Sequence, residues 1–132
     1  MREAAFRLCV YCGSRTGETP AHAEAARTVG RLVGERGWGL VYGGGRIGLM
    51  GVVGQAALEA GAHVIGVTPR KLLEREVVHT GLTELHVVDS MHERKVMMAE
   101  ISDAFIALPG GMGTLDEIFE MITLNQLGMQ RK

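Results

Sequence analysis

Leu108-Pro109-Gly110-Gly111-Met112-Gly113-Thr114-Leu115-Asp116-Glu117 follows an apolar run, Ala104-Phe105-Ile106-Ala107-Leu108, and precedes a helical pattern. The stretch reads as strand, glycine turn, helix. Gly110, Gly111 and Gly113 carry no Cβ, so a ligand can approach their backbone. The helix that follows offers unpaired N–H groups and the positive end of its dipole. Such a turn is either an anion site, most often for phosphate, or a tight connection capped by Thr114. Glycines alone leave both readings open.

Working outward, the same alternation recurs. Phe6 to Tyr11 is a near-continuous apolar run, as expected of a strand buried on both faces. It stops at Gly13-Ser14-Arg15, where Ser14 either donates to a phosphate oxygen or closes the turn. Thr19-Pro20 reads as N-cap and first helical residue. The helix is expected to run to about Arg36, with Ala25, Val29, Leu32 and Val33 on its buried face and Gly37 ending it. Trp38 to Tyr42 is the second strand and opens into Gly43-Gly44-Gly45-Arg46-Ile47-Gly48-Leu49-Met50-Gly51. This GxGxxG lies between a strand and a helix, as a nucleotide fingerprint requires.

A dinucleotide site also needs an acidic residue about 20 positions on, for the ribose hydroxyls. The next strand, Ala62 to Val67, ends in Thr68-Pro69-Arg70, with no carboxylate. NAD is disfavoured, Arg70 leaves an NADP reading open, and a mononucleotide phosphate fits better. Lys71 to Thr80, with Glu74, Arg75 and Glu76, reads as a charged loop. Leu85 to Val88 is a short strand. Ser90-Met91-His92-Glu93 fits a capping box, and its helix carries Arg94 and Lys95 in the first turn. Cations there oppose the helix dipole, which fits either an anionic ligand or ordinary surface charge. The last helix, Thr114 to about Leu127, has two apolar stripes: Leu115, Ile118, Phe119 and Ile122, then Met121, Leu124 and Leu127.

Strands alternating with helices predict an α/β fold, a Rossmann-like doubly wound parallel sheet flanked by helices. Its ligand sites lie beyond the carboxyl ends of the strands, where the turns at Gly13, Gly43 and Pro109 can converge. The 132 residues form a single nucleotide-binding domain spanning 1–132, with 46% hydrophobic residues to fill its core. A net charge of −1 gives no general attraction to nucleic acid or membrane. No run approaches the length of a membrane span, and the N-terminus lacks a signal-peptide core, so a cytoplasmic protein is expected. Cys9 and Cys12, three apart in a strand, point to opposite faces. The five His show no ligand spacing, and no metal or other cofactor is expected.

Four motifs resemble one known family. Pro109 to Glu117 is similar to its PGGxGTxxE, and Met91-His92-Glu93-Arg94-Lys95 to its MHxRK. Tyr42-Gly43-Gly44-Gly45 and Gly48-Leu49-Met50-Gly51 are similar to its YGGG and GLMG. The family is the LOG group of cytokinin riboside 5′-monophosphate phosphoribohydrolases, once labelled lysine decarboxylase-like. The resemblance implies a hydrolase that splits the N-glycosidic bond of an adenosine-type (cytokinin) nucleoside 5′-monophosphate into free base and ribose 5-phosphate. It implies Arg94 and Glu117 as the catalytic pair. Ser14, Gly43, Gly44, Gly45, Glu76, Met91, Lys95, Gly110, Gly111, Gly113, Thr114 and Thr123 would bind substrate. It also implies a homodimer or higher homo-oligomer. Thr114-x-x-Glu117 is itself a capping box, but the resemblance favours catalysis for Glu117.

The alternative is a non-catalytic protein that binds AMP or NADP. A decarboxylase would need a pyridoxal-binding Lys in its own site, and Lys71, Lys95 and Lys132 show no such context. Two departures stand out. The family continues past the position of Lys132 with another strand and helix, so a C-terminally truncated sheet with an open edge is expected. Leu124-Asn125 also replaces the family's Trp-Ala pair after Thr123.

Overall fold

A computed structural model describes residues 6–11, 20–45, 48–71 and 81–108. In chain order these form β1 (Arg7–Tyr11), α1 (Pro20–Glu35), β2 (Gly39–Tyr42), α2 (Gly48–Glu59), β3 (His63–Pro69), β4 (Glu84–Val88), α3 (Met91–Ile101) and β5 (Ala104–Ala107). The strands make one sheet in the order β4-β3-β2-β1-β5, and every pairing is parallel. This is the doubly wound α/β architecture expected. Strand order runs outward from β1 through β4, then returns to place β5 on the other side of β1. The crevice that such a reversal opens lies at the carboxyl ends of β1 and β5. Tyr11 pairs with Ala107 there, and the Leu108 amide donates to the Tyr11 carbonyl at 2.8 Å. The chain therefore leaves toward Ser14 and toward Pro109 from adjacent strand ends.

The sheet separates two apolar layers. On one face Val10, Leu40, Tyr42 and Val64 pack with Ala26 and Val33 of α1 and with Leu49, Val53 and Ala57 of α2. On the other, Cys9, Tyr11, Val41, Ile65 and Val67 pack with Met98 of α3. This two-sided burial is why the central strands read as unbroken apolar runs. Gly37 and Gly61 end the first two helices at positive φ, as C-cap glycines do. Among the described residues no helix is long and apolar enough to cross a membrane.

The buried face of α1 differs from the expectation. Ala25 is exposed and Leu32 is 38% exposed, while Ala26 and Val33 are fully buried. The cause is a close helix pair. A Cβ on Gly30 would stand 2.5 Å from the Val53 carbonyl oxygen and 2.8 Å from Ala56 Cβ. The partner helix thus lies over Ala26, Gly30 and Val33, with Val29 partly buried against the core and Leu32 turned aside. Periodicity weights Leu above Gly, but backbone approach rewards the smaller residue.

Among the described residues β4 is an edge strand, with Leu85 and Val87 partly exposed. Its first residue, Glu84, accepts from His63 Nε2 at 2.5 Å and from His86 Nε2 at 3.0 Å. These hydrogen bonds hold the Glu84 carboxyl below its ordinary value of 4.5. The cluster sits at the amino ends of β3 and β4, away from the strand ends that carry the site.

Two outcomes are expected. Gly30→Ala should lower Tm by a few degrees, because overpacking against a backbone carbonyl costs about 1–3 kcal/mol and offsets the helical gain of about 0.5–1 kcal/mol of Ala over Gly; circular dichroism melts check this. A carboxylate with a depressed folded-state pKa adds stability above its unfolded value and loses it as pH falls through the folded one. Wild type should therefore melt above Glu84→Gln at about pH 6, with the difference shrinking as pH falls below 4.5. The gap should be small, since Glu84 is substantially exposed.

Candidate functional site

Ser90 starts α3 as its N-cap, in extended conformation, with its hydroxyl accepting from the Glu93 amide at 3.1 Å. The reciprocal arm departs from the usual capping box. Glu93 Oε2 accepts from the Asp89 amide at 3.1 Å, one residue before the cap. The cap fixes the first helical turn, and that turn aims Arg94 inward.

Arg94 is 6% exposed. It is neither a surface charge nor, among the described residues, paired with any acidic side chain. Its Nε donates to the Val67 carbonyl at 2.8 Å and its Nη2 to the Gly43 carbonyl at 2.8 Å; Nη1 lies 3.9 Å from Met91 Sδ. Both carbonyls stand at the carboxyl ends of β2 and β3. The cation in the first turn of α3 is tolerated because its charge sits on strand carbonyls and away from the helix amides.

The glycine turn after β2 is shaped around this side chain. A Cβ on Gly43 would overlap Arg94 Nη2 and lie 2.7 Å from Met50 Sδ. Gly44 has φ +84°, a conformation only glycine adopts without strain. Behind it, a Cβ on Gly66 would stand 2.9 Å from the Gly44 Cα. Tyr42, fully buried, donates its hydroxyl to the Gly45 carbonyl at 3.3 Å. The sequence reading assigned no role to Tyr42, Met50 or Gly66. The signal for Tyr42 was a phenol in a strand buried on both faces, where a hydroxyl needs a partner.

Of the residues expected to bind substrate, Gly43, Gly44 and Gly45 gather at this turn with Arg94. Met91 lies beside them, 45% exposed, and Lys95 follows on α3, partly buried. Ser14, Glu76, Gly110, Gly111, Gly113, Thr114, Glu117 and Thr123 lie outside the described residues. Arg70, the basis of the NADP reading, is exposed and pairs with Asp89 at 3.4 Å. Thr68, next to Val67, is 1% exposed, and among the described residues its hydroxyl has no partner. A polar group left so costs about 1–3 kcal/mol.

The chain has clear relatives. The family described as "Possible lysine decarboxylase" matches residues 50–132. The chain is 53% identical to the cytokinin riboside 5′-monophosphate phosphoribohydrolase LOG of Oryza sativa subsp. japonica, over 96% of this chain and 52% of that protein. It is 52% identical to the phosphoribohydrolase LOG7 of Arabidopsis thaliana, over 96% of this chain and 58% of that protein. The chain thus spans somewhat over half the length of these relatives. Among solved structures, the Moco carrier protein of Chlamydomonas reinhardtii matches with a TM-score of 0.77 at 22% identity, over 91% of this chain and 72% of that one. The molybdenum cofactor binding protein of Rippkaea orientalis matches with a TM-score of 0.72 at 23% identity, over 98% of this chain and 88% of that one. At these identities the likeness is one of fold.

Proposed function

Because this chain belongs to the LOG family of cytokinin riboside 5′-monophosphate phosphoribohydrolases, we propose that it hydrolyses the N-glycosidic bond of adenosine-type nucleoside 5′-monophosphates in the cytoplasm. Free base and ribose 5-phosphate are the products. One observation supports this reading above the others. Arg94 of the MHxRK segment and the glycines of YGGG meet at one place, 51 residues apart in sequence. They do so on the edge of the sheet from which β5 launches Pro109 to Glu117.

In this reading the phosphate sits against the glycine turns and the helix N-termini, which supply N–H donors. Loss of the base leaves oxocarbenium character on the ribose. The Glu117 carboxylate stabilises that charge or takes a proton from the attacking water. The water oxygen bonds to C1′, and the electron pair of the C–N bond leaves with the base, which gains a proton. Lys95 and Thr114 add charge and a hydroxyl for the phosphate, and Glu76 and Thr123 contact the rest of the nucleotide. The second apolar stripe of the last helix, Met121, Leu124 and Leu127, is covered by a second copy of the chain, since a closed two-fold dimer is the commonest solution.

Chromatography of protein incubated with AMP or isopentenyladenosine monophosphate should show free base, without added metal or pyridoxal phosphate. Unchanged nucleotide, with binding retained, would favour the non-catalytic alternative. Glu117→Gln should lower turnover about 10²–10⁴-fold while nucleotide binding persists. A loss of melting temperature at unchanged activity would make Glu117 a helix cap only. For assembly, light scattering at micromolar concentration should report a dimer, and Leu124→Asp should give monomers with reduced activity.

A further inference from the structure

Pairing between β2 and β3 ends at Tyr42 opposite Gly66, whereas β3 stays paired with β4 as far as Pro69. One residue past that last rung are Gly43 and Val67. There β2 gives way to the Gly43–Gly45 turn, while Val67 stays paired with His86 of β4. Carbonyls at the end of a ladder need donors, because a buried backbone acceptor without a partner is costly. Arg94 takes the carbonyls of Val67 and Gly43 at this point, and the donors are Nε and Nη2.

Nε–H and Nη2–H form one planar edge of the guanidinium, the edge that otherwise grips a carboxylate or phosphate side-on. In this protein it is committed to backbone. The side chain comes from α3, on the opposite face of the sheet from α1 and α2. It reaches the end of the sheet through the space that Gly43 leaves by having no Cβ.

We propose that Arg94 is a positioning residue, a wedge that bridges β2 and β3 where their ladder stops and so sets the place of the Gly43–Gly45 turn and the start of α2. The inference rests on the phosphoribohydrolase reading but changes how Arg94 contributes to it. The resemblance makes Arg94 one of a catalytic pair; its contacts make it the support of the turn that receives the nucleotide. Its need is for two donors held in one plane, not for charge delivered to the phosphate.

Two substitutions separate the possibilities. Arg94→Lys keeps the charge and loses the planar edge. Arg94→citrulline, introduced by amber suppression, keeps the donors at both sites and loses the charge. Two readouts apply to the full chain: hydrogen exchange of the Gly44 and Gly45 amides, and calorimetric affinity for ribose 5-phosphate. The wedge predicts faster exchange and weakened affinity for Arg94→Lys, with both near wild type for citrulline. Gly43→Ala keeps the arginine but fills the space of its Nη2, and should reproduce Arg94→Lys. Its kcat/KM for AMP should fall by about 10²-fold, the scale of a 1 Å misplacement. The reverse pattern, with affinity kept in Arg94→Lys and lost in citrulline at unchanged exchange, would make Arg94 a phosphate ligand and overturn the proposal. If wild type releases no base, the enzyme reading fails, while the exchange data still decide the wedge. If Arg94→Lys does not fold, Gly43→Ala and citrulline carry the same comparison.

Discussion

Two strand carbonyls one step beyond their last ladder rung, and one buried guanidinium that serves both, constrain the rest of this site. A hydrogen bond to a charged group contributes about 1.5–3 kcal/mol. Without Arg94, two buried acceptors would lack donors. Without the carbonyls, a nearly buried charge would lack compensation, because no acidic side chain pairs with it among the described residues. Each half of the contact is unfavourable without the other, so substitution at either half disturbs both.

Other features follow from where that guanidinium must sit. Gly43 cannot carry a Cβ, because the space belongs to Nη2 and to Met50 Sδ. The turn must then reverse at once, which Gly44 does at positive φ. Tyr42 anchors the far side of the turn through the Gly45 carbonyl and packs against Gly54, where a Cβ would lie 2.5 Å from the phenol oxygen. The Ser90 cap fixes the first turn of α3 and hence the origin of the Arg94 side chain. Three elements distant in sequence therefore share one small volume. The turn they build lies at the carboxyl ends of parallel strands, where backbone donors accumulate and ligands bind.

The same chain shows how packing overrides local pattern. α1 and α2 approach through Gly30, so Leu32 faces outward despite its hydrophobicity. Arg94 breaks the rule that charged residues stay at the surface, because it meets two strand carbonyls as acceptors. Both exceptions rest on contacts between segments far apart in the chain.

Much of the fold was legible in local sequence. Apolar runs closed by glycine marked β1 and β2, the apolar run from Ala62 to Val67 marked β3, and Gly37 marked the end of α1. Pro20 marked the first residue of α1, and Ser90-x-x-Glu93 marked the start of α3. Those signals reflect backbone preference and side-chain period, which act within a few residues. The motifs also named the glycine turn and Arg94 as parts of one site. The tertiary structure alone decided that β5 lies beside β1, that β4 is an edge, that Glu93 reaches back to Asp89, and that Arg94 turns inward onto Gly43 and Val67. Strand order and the fate of a ladder's last carbonyls depend on which distant segments pair, and no local pattern encodes that choice.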